Sequence, residues 1–169
     1  KNNRKNKRKP LTFARLKSYA KDAYSSYEID GLEGDDILGL LSGYPGLGRI
    51  IGEKVVVTID KDLMTIPGFH YFPNRSEDGI IEVTVDQANY NHLLQSLTGD
   101  SVDGYSGCPG IGPKRAEAIL KRGDWSEVVK EYEKKGLAEE DALIQARVAR
   151  ILRWGEYDFN KGEVKTWKP

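Results

Sequence analysis

The chain is poor in cysteine and histidine, the residues of thiol and imidazole chemistry. Its 169 residues include one cysteine, one methionine and two histidines. The lone Cys108 has no partner for a disulfide within the chain, which fits a reducing cytosol. It lies in a Gly/Pro-rich run with no histidine beside it and reads as structural. His70 and His92 are isolated and read as surface or packing residues. No apolar run approaches the ~20 residues that span a bilayer. No apolar stretch follows the basic N-terminus, so no secretory signal is visible. A Walker A loop, a dinucleotide-binding glycine run and a Ser–His–Asp arrangement are also missing. What remains is chemistry carried by carboxylates.

Net charge is missing too, with 26 Lys/Arg against 26 Asp/Glu. The balance conceals segregation. Residues 1–21 hold nine Lys/Arg and no acid; residues 28–103 hold fourteen acids against four cations. Residues 104–169 are nearly even, thirteen against eleven. A basic arm and an acidic middle suggest phosphate contacts flanking a metal-binding centre. The plainer alternative is a frayed tail beside an ordinary acidic surface.

Residues 1–9, K-N-N-R-K-N-K-R-K, contain nothing apolar and are expected to order only on a polyanion. Pro10 opens a helix predicted over 11–26, with Phe13, Leu16, Ala20, Ala23 and Tyr27 on one face. A short extended piece is expected at 27–30. An acidic first turn then starts an apolar helix that stops at Gly43. The run K-V-V-V-T-I-D at 54–60 has the pattern of a strand buried on both faces, as in parallel sheets. Two further strands are predicted at 64–72 and 79–85, then a helix capped by Asp86 and bearing Tyr90, Leu93, Leu94 and Leu97. Helices follow at 113–120, at 125–135 behind an Asp124 cap, and at 139–154. The tail 157–167 reads as a hairpin around Asn160-Lys161-Gly162.

Three acidic groups stand out. Glu33, Asp35 and Asp36 open a helix, where the macrodipole stabilises each by ~0.3–1 kcal/mol whatever its function. Asp60 and Asp62 end a strand at period-2 spacing, so both point one way, near where open α/β sheets bind ligands. A turn-capping role fits them equally. Asp100 and Asp103 lie on one side of a turn. Seven carboxylates brought together repel without cations. Two Mg²⁺ ions about 4 Å apart relieve that repulsion, clamp a phosphodiester and activate water, so no protein nucleophile is needed. The acids run into Gly107, Gly110, Ile111 and Gly112, then Lys114 and Arg115 on a helix start. A Gly-x-Gly turn before a helix lets backbone N–H groups approach a phosphate, helped by the helix dipole.

E-G-D-D at 33–36, T-I-D-K-D at 58–62 and G-D-S-V-D-G-Y-S-G-C-P-G-I-G-P-K at 99–114 resemble, in order and spacing, the motifs of the flap endonuclease/5′-nuclease superfamily. The closest likeness is to the 5′→3′ exonucleases of short-tailed bacteriophages, and A-R-I-L-R-W-x-E-Y near the C-terminus extends it over the whole chain. The resemblance implies an α/β fold. A partial parallel-sheet 5′-nuclease (PIN-like) core at 11–98 would be followed by an all-helical helix–three-turn–helix region at 99–155 and a tail at 156–169. It implies that Glu33, Asp35 and Asp36 serve a first metal site, that Asp60 and Asp62 bridge to a second, and that Asp100 and Asp103 hold the second. Mg²⁺ is the expected ion, with Mn²⁺ able to substitute. Residues 107–114 would grip the duplex backbone, their loop carbonyls holding a K⁺. Lys1 and Arg4 resemble the catalytic Lys and Arg of the family's arch, which residues 1–10 would continue.

The family pattern also includes an N-terminal Asp-bearing strand and a further Asp before the arch. Neither is in this sequence, so an N-terminal third is expected outside it, in a longer chain or a separate polypeptide, unless the protein is a reduced descendant. The implied activity is cleavage near the 5′ end of duplex or flapped DNA, or of RNA–DNA hybrid, in the cytoplasm of an infected bacterium, with no membrane partner. Two alternatives stay open: a non-catalytic DNA-binding module and a protein-interaction domain of a replication complex.

Overall fold

The computed structural model describes residues 10–46, 53–121 and 124–169. The basic arm, with Lys1 and Arg4, lies outside the described residues. The fold is mixed α/β, and among the described residues no helix is long and apolar enough to cross a membrane.

Helix α1 (Phe13–Ala23) starts on a Phe13 N–H to Pro10 C=O bond of 2.9 Å. It is shorter than predicted, and none of its residues is buried. Phe13, Leu16 and Tyr19 remain largely exposed, and Lys17 and Lys21 tie the helix to Glu28. Residues 27–30 pair with no strand among the described residues. Helix α2 (Gly34–Gly43) begins on acids as expected. Asp36 Oδ2 accepts the Glu33 N–H at 3.3 Å, while Ile37 and Leu40 are buried.

Strands β1 (Val55–Val57), β2 (Gly68–Tyr71) and β3 (Ile80–Val83) form one sheet in that order. β1 pairs parallel to β2, with Val56 opposite His70, and β3 runs antiparallel, with Ile81 opposite His70. The sheet is therefore mixed rather than parallel. The expectation that 54–60 is buried on both faces is corrected: β1 is an edge strand of three residues, with Val56 buried and Val55 and Val57 exposed. The packed face carries Val56, His70 and Val83, and Leu63, Ile66 and Ile151 pack with Val56. On the other side Val55, Val57, Ile59 and Ile80 are left exposed.

Helix α3 (Val85–Thr98) is capped by Thr84, whose Oγ1 accepts the Gln87 N–H at 3.2 Å. Asp86 sits in the first turn instead of at the cap, because β3 ends at Val83 and puts Thr84 at the junction. Helices α4 (Pro113–Leu120) and α5 (Trp125–Glu133) start at their expected residues, α5 behind the Asp124 carboxylate, which accepts the Ser126 N–H at 2.9 Å. Helix α6 (Glu139–Ala149) ends five residues earlier than its apolar pattern predicts. Arg150 is extended and forks onto Glu156 (3.0 and 2.5 Å), and Arg153 reaches the Thr65 carbonyl at 2.7 Å. These contacts draw the chain off the helical path. Strands β4 (Tyr157–Asp158) and β5 (Glu163–Val164) form the expected hairpin, whose turn is closed by Asp158 Oδ1 accepting from Asn160 N–H at 3.0 Å.

The largest core joins α3 to α4, α5 and α6 through Leu97, Leu120, Val128, Tyr132 and Ala142, with Cys108 and Ile111 between α3 and α4. The Tyr132 hydroxyl donates to the Ser96 carbonyl at 2.7 Å. Both histidines are buried packing residues. His92 Nε2 bonds the Ala146 carbonyl at 2.8 Å and His70 Nε2 that of Ile66 at 2.9 Å. Burial pushes the His92 pKa down to about 4 and lowers that of His70, so both rings are neutral at pH 7.

Gly99 and Gly107 press backbone against backbone at the root of the loop after α3. Both have positive φ (69° and 62°), and a Cβ on Gly107 would lie 2.4 Å from the Gly99 nitrogen. Gly107→Ala adds left-handed strain to this clash and is expected to destabilise the fold by about 3 kcal/mol or more. Urea denaturation of the two proteins checks it.

Candidate functional site

The acids of three distant motifs line one cavity of about 340 Å³. Glu33, Asp35 and Asp36 come from the start of α2, Asp60 and Asp62 from the turn after β1, and Asp103 from the loop after α3. The end of α6 and the chain just after it, at 148–151, complete the wall together with Gly31, Gln95 and Tyr105. Asp36 also joins α2 to that last segment, its Oδ1 accepting the Leu152 N–H at 3.1 Å.

Asp60 and Asp62 do not end a strand. β1 stops at Val57, and Lys61–Thr65 forms a 3-10 helix whose cap is Asp60, accepting the Asp62 N–H at 3.0 Å. The period-2 argument is therefore corrected, yet both residues line the cavity, because the tight turn replaces the pleat. Asp100 is not among the lining residues. Its Oδ1 accepts from Val102 and Asp103 N–H (2.6 and 3.2 Å), and its backbone bridges Tyr105. It closes the turn that carries Asp103.

The field in the cavity is negative. Burial raises the Asp62 pKa, and the charges of Asp60, Asp100 and Asp103 raise it further against Lys61. Burial and the charges of Asp62, Asp100 and Asp103 push the Tyr105 phenol far above its usual range, so it is a neutral donor. A folded pKa raised above the unfolded value gives Asp62 a stabilising contribution at low pH that is lost as pH rises through it. Asp62→Asn is therefore expected to raise the melting temperature at pH 7 in EDTA. Differential scanning calorimetry checks the sign, which inverts if the charge were stabilising.

The donor set is all hard oxygen, which suits Mg²⁺ or Mn²⁺ rather than softer metals. Among the described residues no three carboxylates converge into a ready-made cage. That spacing is compatible with Mg²⁺, which keeps several waters and takes only one or two carboxylates along with substrate phosphate oxygens.

The glycine-rich turn divides into a buried and an open half. Gly107 and Ile111 are buried; the Gly107 N–H donates to Gln145 Oε1 at 2.9 Å and the Ile111 N–H to the Cys108 carbonyl at 3.1 Å. Gly110, Gly112, Lys114 and Arg115 are exposed. Gly112 caps α4, and a Cβ there would meet nothing. Arg115 is held by buried Glu131 at 3.1 Å, which Lys134 also binds. Those cations, Lys134 before Arg115, keep the Glu131 carboxyl below its usual range. Lys135, absent from the motif, places its ammonium beside Gly110. Burial raises the Cys108 thiol pKa, in keeping with a structural role.

Sequence reasoning missed Gln95, Tyr105 and the 148–151 wall. Tyr105 stands inside the quoted D-G-Y-S-G. Gln95 follows Gln87 and Asn91 at intervals of four, a polar stripe hidden by a search for apolar periodicity.

No protein-family model matches the chain. It is 28% identical to the "Exonuclease" of Escherichia phage T7 and 27% identical to the "Exodeoxyribonuclease" of Enterobacteria phage T3, each match covering 99% of this chain and 66% of the relative. The chain thus spans about two thirds of the length of these relatives. It is also 36% identical to the "DNA polymerase I" of Rhizobium leguminosarum over 56% of this chain and 10% of that one. The likeness to phage exonucleases therefore extends over essentially the whole sequence.

Proposed function

We propose that the chain forms the carboxylate wall and duplex-gripping region of a metal-dependent 5′→3′ exonuclease or flap endonuclease acting on DNA. The observation that carries this reading is the gathering of six carboxylates from three separated motifs around one cavity. One divalent ion would lie by Glu33, Asp35 and Asp36 and a second by Asp60, Asp62 and Asp103, each ion taking one or two of these carboxylates directly and the rest through water, with Asp100 fixing the turn. The bound ions would supply a low-pKa water and charge stabilisation at the phosphate. Asp36, bonded to Glu33 and Leu152 N–H groups, keeps its wall rigid. Tyr105 can donate a hydrogen bond where the other lining oxygens only accept.

Gly110 and Gly112, exposed on either side of buried Ile111, would with Lys114, Arg115 and Lys135 hold backbone phosphates of the downstream duplex without reading bases. A helix–hairpin–helix with K⁺ on its loop carbonyls is part of this proposal, as are RNA–DNA hybrid as a further substrate and the cytoplasm of an infected bacterium as the setting. The uncovered sheet face of Val55, Val57 and Ile80 is where further polypeptide, as in the longer phage relatives, would pack.

Incubation with 5′-labelled duplex tests the reading, using the chain alone and with the N-terminal segment that the family implies. Degradation with Mg²⁺ that stops with EDTA is expected. A shift of the duplex in both conditions with no cleavage, even after the segment is added, would favour the DNA-binding module. Absence of salt-dependent binding would favour the protein-interaction domain. Metal is also expected to stabilise the chain, by about 2.7 kcal/mol at a hundredfold excess over Kd. For a domain of this size that is roughly 5–10 °C in melting temperature.

A further inference from the structure

Helix α3 carries three amides one turn apart, Gln87, Asn91 and Gln95, and residues at this spacing share a face. That face meets the 3-10 helix Lys61–Thr65. Gln87 Nε2 donates to Asn91 Oδ1 at 3.1 Å. Asn91 Nδ2 donates to the Met64 carbonyl at 2.8 Å, and Gln95 Nε2 to Asp62 Oδ1 at 2.8 Å. The middle amide thus fixes the backbone of the turn, and the last fixes the carboxylate it presents. The far side of the turn is pinned as well, since Arg153 Nη2 donates to the Thr65 carbonyl at 2.7 Å and Arg153 Nη1 to Asn89 at 2.7 Å.

Asp62 Oδ2 takes no hydrogen bond from the described residues. An amide orients a carboxylate without neutralising it; a lysine in the same place would compete with a metal ion for its charge. We propose that Gln95 is a positioning residue for divalent-metal binding, holding Asp62 by Oδ1 so that Oδ2 is presented to the cavity. The inference rests on the metal-centre reading above and adds a residue to it. Hydrogen-bond partners of metal-ligating carboxylates typically account for 10–100-fold of metal affinity.

Mn²⁺ titrated into the metal-free chain, with free Mn²⁺ read by electron paramagnetic resonance, tests it without relying on cleavage. Gln95→Leu keeps the volume and loses the donor; Gln95→Asn keeps the amide but is one methylene too short. Both are expected to bind Mn²⁺ about tenfold more weakly or worse, with melting in EDTA close to the parent's. Parent-like Mn²⁺ affinity in both variants overturns the positioning role and leaves the metal centre standing. Loss confined to Gln95→Leu, accompanied by early melting, marks a packing residue and also overturns it. A parent chain with no saturable Mn²⁺ binding overturns both readings.

Discussion

Asp103→Asn is expected to abolish cleavage by the complete nuclease, by a factor on the order of 10³, while leaving duplex binding nearly intact. Asp103 is an exposed residue on a turn whose shape depends on Asp100, which accepts the Asp103 backbone N–H. The isosteric amide keeps that bond, so the turn survives. On the proposed two-metal reading, what would be lost is one anionic oxygen ligand at the metal centre. Several kcal/mol of transition-state charge stabilisation pass through such a metal site, and about 4 kcal/mol corresponds to the stated factor. In the proposed function duplex binding is carried elsewhere, by the Gly110–Arg115 segment, so a band-shift assay in Ca²⁺ should show it within about twofold of the parent, well under 1 kcal/mol. Cleavage by Asp103→Asn at the parent rate would remove the two-metal assignment.

The joint change Lys114→Gln and Arg115→Gln has the opposite signature. Both residues are exposed at the N-terminal turn of α4, next to the open Gly112 cap. Each phosphate contact contributes about 0.9 to the slope of log affinity against log salt, so losing two should flatten the slope by about 1.8. The weakening should be uniform across sequences, since backbone contacts carry no base information. Turnover at saturating DNA should change little. Lys114→Gln alone removes one of the two contacts and is expected to give about half the flattening. A slope unchanged in the double variant, measured by fluorescence anisotropy over a salt series, removes this turn from the interface.

What could be read from the sequence follows from how local its cause is. Pro113 and Asp124 start their helices where expected because a proline at the first turn and a carboxylate cap act within three residues. The cap of α3 depended on where β3 stops, which Thr84 and Asp86 do not decide between themselves. The end of α6 at Ala149 was hidden, since the apolar pattern runs on to Trp154. It is Asp36, 116 residues from Leu152, and the Arg150–Glu156 fork that end the helix. The valines of β1 announce a strand but cannot say which face is covered.

The candidate site shows the same division. Its acids were legible as motif residues, and their types pointed to a hard divalent metal. That the three groups meet was implied only by the family resemblance, since their spacing does not show α2, the turn after β1 and the loop after α3 closing around one cavity. The glycines read as a phosphate-approach loop are of two kinds. Gly107 serves a backbone crossing with Gly99, and Gly110 and Gly112 leave the turn open. Gln95 shows a further limit, since a polar residue on a helix gains its meaning from the Asp62 carboxylate it reaches across 33 residues.

The most direct measurement is anomalous X-ray diffraction from crystals of the chain grown with Mn²⁺ and a short duplex. Two peaks about 4 Å apart in the cavity, one by Asp35 and Asp36 and one by Asp62 and Asp103, are the expected result. A cavity without an anomalous peak at saturating Mn²⁺, or peaks only at surface acids outside it, would contradict the metal centre on which the proposed function stands.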